Sequence, residues 1–173
     1  MYALLKPFVD LALLRRGPED LPASQPLLLI CALLYWLLAV VVVAPFYPLG
    51  VALVQAGLDL ALLGVFTLVL LRTRSLGERF NQTFTGLLGV GVVLGVLMIP
   101  VVLQLRSVDG PEEVSLFTTI IYLLLLGWLL TAYGHVLRRA LDIKNPAGGV
   151  GLAILYMLLA GILGEWVHSA WVA

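Results

Sequence analysis

Val65-Phe66-Thr67-Leu68-Val69-Leu70-Leu71-Arg72-Thr73-Arg74-Ser75-Leu76-Gly77-Glu78-Arg79 decides the fold. It joins the end of a long apolar run, 51–71, to three arginines spaced within eight residues. The run holds one ionisable side chain, Asp59. A hydrocarbon core about 30 Å thick is crossed by about 20 apolar residues in a helix, so 51–71 has the length of a membrane span. The arginines that close it have the character of a cytoplasmic loop.

Four more runs repeat that pattern, at 27–44, 84–105, 115–137 and 147–166. Prolines or basic residues bracket most of them: Pro26 and Pro45 around the first, Arg138 and Arg139 after the fourth. Only helices satisfy their own backbone groups in hydrocarbon over segments this long. Lys6, Arg15 and Arg16 precede the first run; Arg72, Arg74 and Arg79 follow the second; Arg138, Arg139 and Lys144 follow the fourth. Arg106 alone falls in an alternate loop, beside Asp109, Glu112 and Glu113. Nine of ten bases therefore lie on one side if all five runs cross, and losing one span would scramble the alternation. The expected fold is all-α: an integral membrane bundle of about five helices over 25–173, N-terminus cytoplasmic and C-terminus periplasmic.

Composition agrees. Hydrophobic residues make up 62% of the 173 and charged residues 12%, too little polar surface for a water-soluble body of this size. The single cysteine, Cys31, excludes an intrachain disulfide. It opens no lipoprotein signal, because the apolar run follows it instead of preceding it. Nor does the first run read as a cleaved signal peptide, since it lies behind two dozen residues of mixed charge and exceeds a typical signal core in length.

Residues 1–24 form a separate N-terminal segment. Leu4, Leu5, Phe8, Leu11 and Ala12 recur at helical spacing, with Arg15 and Arg16 behind them and Gly17-Pro18 as a stop. This pattern predicts a short amphipathic helix at the cytoplasmic interface.

Asp59 is the residue most open to chemistry, because an acid near the midplane of a span is costly and must face protein or water. Gln55 lies one turn away on the same face, and Tyr122 falls at a similar depth on the fourth span, so a polar cluster of Asp59, Gln55 and Tyr122 is expected. Two readings stay open. One is a proton or ion site; the other, favoured by the lack of a basic partner at that depth, is an acid hydrogen-bonded between helices. Gly86, Gly91, Gly95, Gly127, Gly161 and Gly164 are expected to let helices pack closely, within the bundle or across a homo-oligomer. His135 and His168 fall at opposite faces, so no metal site is expected, and no motif implies a cofactor or a nucleic-acid partner. Arg15, Arg16, Arg72, Arg74, Arg79, Arg138, Arg139 and Lys144 form a basic cytoplasmic face. Orientation bias explains it; recognition of anionic lipid or an acidic protein partner is the alternative.

Three stretches, 13–24 (Leu13 to Ser24), 79–83 (Arg79-Phe80-Asn81-Gln82-Thr83) and 134–141 (Gly134 to Leu141), resemble a group of small inner-membrane proteins of Gram-negative bacteria. The resemblance implies a location and brings no activity with it. The layout of five spans with a cytoplasmic N-terminus is also similar to that of the Yip1 family, whose members serve membrane traffic. That likeness is one of architecture alone. The first expectation is a non-enzymatic protein that organises or assists a partner or lipid at the cytoplasmic face. The second is a small transporter or proton-linked channel using Asp59. An enzyme acting on lipid would need acids, bases or a metal converging at one interface, which the spacing does not supply.

Overall fold

The computed structural model describes residues 2–107 and 114–172. Asp109, Glu112 and Glu113, and the side chain of Leu4, lie outside that description. The described residues form helices and no strands. They are α1 (Tyr2–Ala12), α2 (Gln25–Val43), α3 (Leu49–Thr73), α4 (Phe80–Arg106), α5 (Leu116–Ala140) and α6 (Pro146–Val172). The last five are each long and apolar enough to cross a membrane. α6 runs six residues beyond the expected 166, and α4 passes through Pro100 unbroken. At 1.5 Å per residue the 27-residue α4 and α6 are about 40 Å long, so they overhang a hydrocarbon core or tilt within it.

Local chemistry sets the helix ends. Ser115 accepts from the Thr118 amide at 3.1 Å and caps α5. α1, α3 and α5 end alike, each with a non-glycine residue in the left-handed region: Leu14 (φ 62°), Ser75 (φ 59°) and Asp142 (φ 53°). The next amide then donates back five residues: Arg15 to Asp10, Leu76 to Leu71 and Ile143 to Arg138, at 2.8, 2.8 and 3.0 Å. This satisfies carbonyls that a helix end leaves open. α1 therefore stops before the expected Gly17-Pro18, which instead opens a short 3-10 turn, Pro18–Asp20.

The spans pack as a ring in the order α2, α3, α6, α5, α4. α4 lies mainly against α2 and α5 and only lightly against α3, although α3 and α4 are consecutive. From Thr83 to Val90 it is buried all round, as expected for a helix with no solvent or lipid face there. The cover comes from the N-terminal segment. Phe8, Leu11 and Ala12 bury one side of α1 against α4 and α5, and the Phe8 ring fills the space a Cβ at Gly89 would need. The Trp128 indole donates to the Ala12 carbonyl at 2.7 Å. On the far side, Leu5, Val9 and Leu13 are exposed. α1 is thus apolar on two sides, one for the bundle and one for its surroundings.

Two ends follow from the chain path. The basic end holds the turns after α3 and α5; the opposite end holds the α2–α3 turn and the end of α6, where Tyr47 and His168 meet edge to face at 5.1 Å.

Candidate functional site

Each of the five spans contributes to one polar cluster in the bundle. Asp59 of α3 accepts two phenol hydrogen bonds, one on each carboxylate oxygen: Tyr35 of α2 to Oδ2 at 2.6 Å and Tyr156 of α6 to Oδ1 at 2.7 Å. Tyr133 of α5 packs beside Tyr156, ring centroids 6.0 Å apart. Gly91 of α4 leaves room for the group: a Cβ there would stand 2.6 Å from the Tyr35 ring and 2.7 Å from the Tyr133 hydroxyl.

The cluster differs from the expected one. Tyr122 is 38% exposed and lines none of the cavities that reach Asp59. Tyr133, 11 residues further along the same helix face, fills the place expected of it, roughly 16 Å nearer the basic end at 1.5 Å per residue. Gln55 is nearby but joins no hydrogen bond to Asp59: its Oε1 is buried without a partner among the described residues. Tyr35 and Tyr156 lacked a motif. Their signal was a phenol in the middle of an apolar run.

Cavities surround the cluster. One of about 470 Å³ lies between α5 and α6, with Asp59, Tyr35, Tyr133 and Tyr156 in its wall and leucines over most of the rest. A second, about 190 Å³, reaches Asp59 and Gln55 between α2, α3 and α6. A third, about 240 Å³, meets Tyr35 and Tyr133 between α2, α4 and α5.

The expected packing glycines divide. Gly86 faces Leu21, Pro18 and Val136, and Gly95 faces Leu38. A Cβ on Gly164 would come within 3.0 Å of Gln55. Gly127 and Gly161 have nothing among the described residues within 4 Å of the Cβ position. The closest crossing was not expected as such: Gly134 of α5 lies directly on Gly149 and Val150 of α6, backbone to backbone.

At the basic end, Arg79, Arg138, Arg139 and Lys144 line a cavity of about 470 Å³ with Pro18, Glu19, Gln82, Thr83 and Asp142. Arg79 pairs with Asp142 at 2.9 Å and also donates to the Ala140 carbonyl at 3.2 Å; Arg139 pairs with Glu19. Four bases against two acids leave the cavity positive. The Thr83 hydroxyl at its wall is buried with no partner among the described residues. The other basic residues stand apart: Arg15, Arg72 and Arg74 are exposed outside the cavity, and Arg16 pairs with Asp10 at 3.3 Å.

The three stretches that carried the resemblance are brought together here. His135 donates to the Arg16 carbonyl at 2.9 Å, Gln82 to the Leu21 carbonyl at 2.8 Å, and Arg139 reaches Glu19. Residues 13–24 are thus strapped over α4 and α5, with Pro18 and Glu19 forming one wall of the basic cavity. No protein-family model matches the chain, and neither does any curated protein or solved structure.

Proposed function

We propose that this protein is a non-enzymatic component of a bacterial inner membrane that holds an anionic headgroup at its cytoplasmic face, in the cavity lined by Arg79, Arg138, Arg139 and Lys144. The observation that carries the reading is the make-up of that cavity. Two of its bases are balanced by Glu19 and Asp142, two are not, and a buried Thr83 hydroxyl awaits an acceptor or donor. A phosphate group answers all three, because it accepts several charge-assisted hydrogen bonds at once. Its place at a helix-bundle end rich in Arg and Lys suits the anionic inner leaflet. The orientation rests on the same residues, nine of the ten bases belonging to segments on that side.

The test is native mass spectrometry of the protein released from nanodiscs of mixed phosphatidylglycerol and phosphatidylcholine. Retention of phosphatidylglycerol adducts should fall at least fivefold in Arg138→Gln/Lys144→Gln and stay unchanged in Arg106→Gln at the opposite end. Equal retention in all three proteins overturns the reading. A loss matched by added inorganic phosphate would assign the cavity to a free anion instead of a lipid. A second reading, a small transporter or proton-linked channel built on Asp59, is favoured by the cavities that reach that acid.

A further inference from the structure

The Asp59 cluster has an acid and no base. Its carboxylate accepts one phenol on each oxygen, and a carboxylate has about four lone-pair sites, so half of its capacity is unused. The arginines and lysines described stand at the helix ends or in the N-terminal segment, none in the middle of a span. A carboxylate in such surroundings needs a proton or a positive partner.

The space beside it has a definite character. Gly134 and Gly149 bring α5 and α6 into backbone contact near the basic end. Beyond that crossing the two helices are separated by the 470 Å³ cleft, within the size range of sites for drug-like ligands. Its rim carries Ile154 and Leu158, 44% and 60% exposed, on the outward side of α6. The cleft therefore opens sideways from the bundle, through apolar side chains, where lipid would lie. Its inner wall presents three tyrosine rings as well as the acid.

We infer that this cleft is a binding site for a lipophilic organic monocation, entered laterally from the bilayer between α5 and α6, with Asp59 as its counter-ion. The occupant is set by complementarity. An apolar body matches the leucine walls, the positive centre meets the carboxylate, and aromatic rings attract cations across their faces. A bare metal cation fits poorly, since calcium or magnesium demands six or more oxygen ligands, and the cleft offers one carboxylate and phenols. A neutral lipophile would fill the cleft and bring no positive charge to the carboxylate. The inference is independent of the basic cavity at the chain's other polar region, so either can fail alone.

The probe is tetraphenylphosphonium, measured by equilibrium dialysis against the full chain in nanodiscs, with empty nanodiscs subtracted. Triphenylphosphine oxide serves as the neutral analogue. Wild type should bind the cation at one site, at least tenfold more tightly than the analogue. Asp59→Asn, similar in size and uncharged, should lose that preference at least tenfold, and Leu158→Trp, which fills the rim from an exposed position, should weaken binding at least threefold. Arg138→Gln should bind as wild type does. If Asp59→Asn does not fold, the analogue and Leu158→Trp still decide. Equal binding of cation and analogue, binding unaltered in both variants, or no binding above empty nanodiscs would each overturn the inference.

Discussion

Replacing Gly134 by alanine should loosen the bundle, although alanine is the better helix former. A Cβ at Gly134 would stand 2.8 Å from both the Cα and the amide nitrogen of Val150, and 3.0 Å from the Gly149 carbonyl carbon. These are backbone atoms, so no side-chain rotation relieves the contact. Ordinary contact begins near 3.4 Å, so α5 and α6 must part by roughly 0.6 Å at their crossing. Overpacking of this kind costs about 1–3 kcal/mol. Glycine-to-alanine exchange in a helix returns about 1 kcal/mol. The net expectation is a loss of about 0–2 kcal/mol for Gly134→Ala. Gly127, on the same helix with open space at its Cβ position, supplies the internal control. Gly127→Ala carries the propensity gain without the clash, so it should be neutral or stabilising by up to about 1 kcal/mol. The two variants should therefore differ by about 1–3 kcal/mol, with Gly134→Ala the less stable. The assay is tryptophan-fluorescence unfolding in mixed micelles, titrated with sodium dodecyl sulfate. If Gly134→Ala unfolds at the same denaturant fraction as Gly127→Ala, the tight crossing is not a feature of the folded protein.

Removing one phenol from the polar cluster should cost little by itself, because interhelical hydrogen bonds in membrane proteins average about 0.6 kcal/mol. Tyr156→Phe and Tyr35→Phe should each lie near that figure in the same unfolding assay, while the double variant, which strips both partners from Asp59, should lose more than their sum; strict additivity would mean the acid finds another partner. Ser75→Gly should stabilise by about 0.5–1 kcal/mol, since Ser75 is exposed, makes no side-chain hydrogen bond among the described residues and holds a left-handed conformation that glycine adopts freely. A lower unfolding midpoint for that variant would show that the α3 cap is built differently.

The membrane-length helices were legible because their signals are additive along the chain. Twenty apolar residues leave no competing structure in lipid, and each basic loop repeats the same vote about sides. The observed starts of α2, α3, α5 and α6 fall within two residues of the runs read from sequence. The polar cluster was half legible. Asp59 stands out in any apolar run, whereas its partners depend on axial offsets between helices that no single run encodes. Tyr122 matches Asp59 in counted depth, yet Tyr133 is the α5 phenol that lines the cleft with it. The strapping of residues 13–24 was illegible for a different reason. It rests on main-chain carbonyls of Ala12, Arg16 and Leu21, which every sequence has, accepting from Trp128, His135 and Gln82. Only the donors show in the sequence, and without the fold they have no visible target.

The glycine contacts place a backbone-to-backbone crossing of α5 and α6 between the basic cavity and the cavities around Asp59. Gly86, Gly89, Gly134 and Gly149 sit in the half of the bundle nearer the basic end, and each is filled by a neighbour. There α2, α5 and the N-terminal segment cover α4, which is why it is buried on every side from Thr83 to Val90, beside the cavity lined by Arg79, Arg138, Arg139 and Lys144. Gly127 and Gly161 sit further toward the opposite end with nothing against them, and α5 bears exposed Leu116, Phe117, Ile120 and Leu123 there. The three cavities around Tyr35, Asp59 and Tyr133 lie on that side of the Gly134–Gly149 crossing. Ion pairs and the Ala140 carbonyl fix Arg79 and Arg139 around the basic cavity, while the cleft between α5 and α6 leaves Asp59 accessible from the side. The Gly134–Gly149 crossing borders both polar sites: the Arg138 side chain packs against Gly149 on one side of it, and Tyr133, the residue before Gly134, lines the Asp59 cleft on the other.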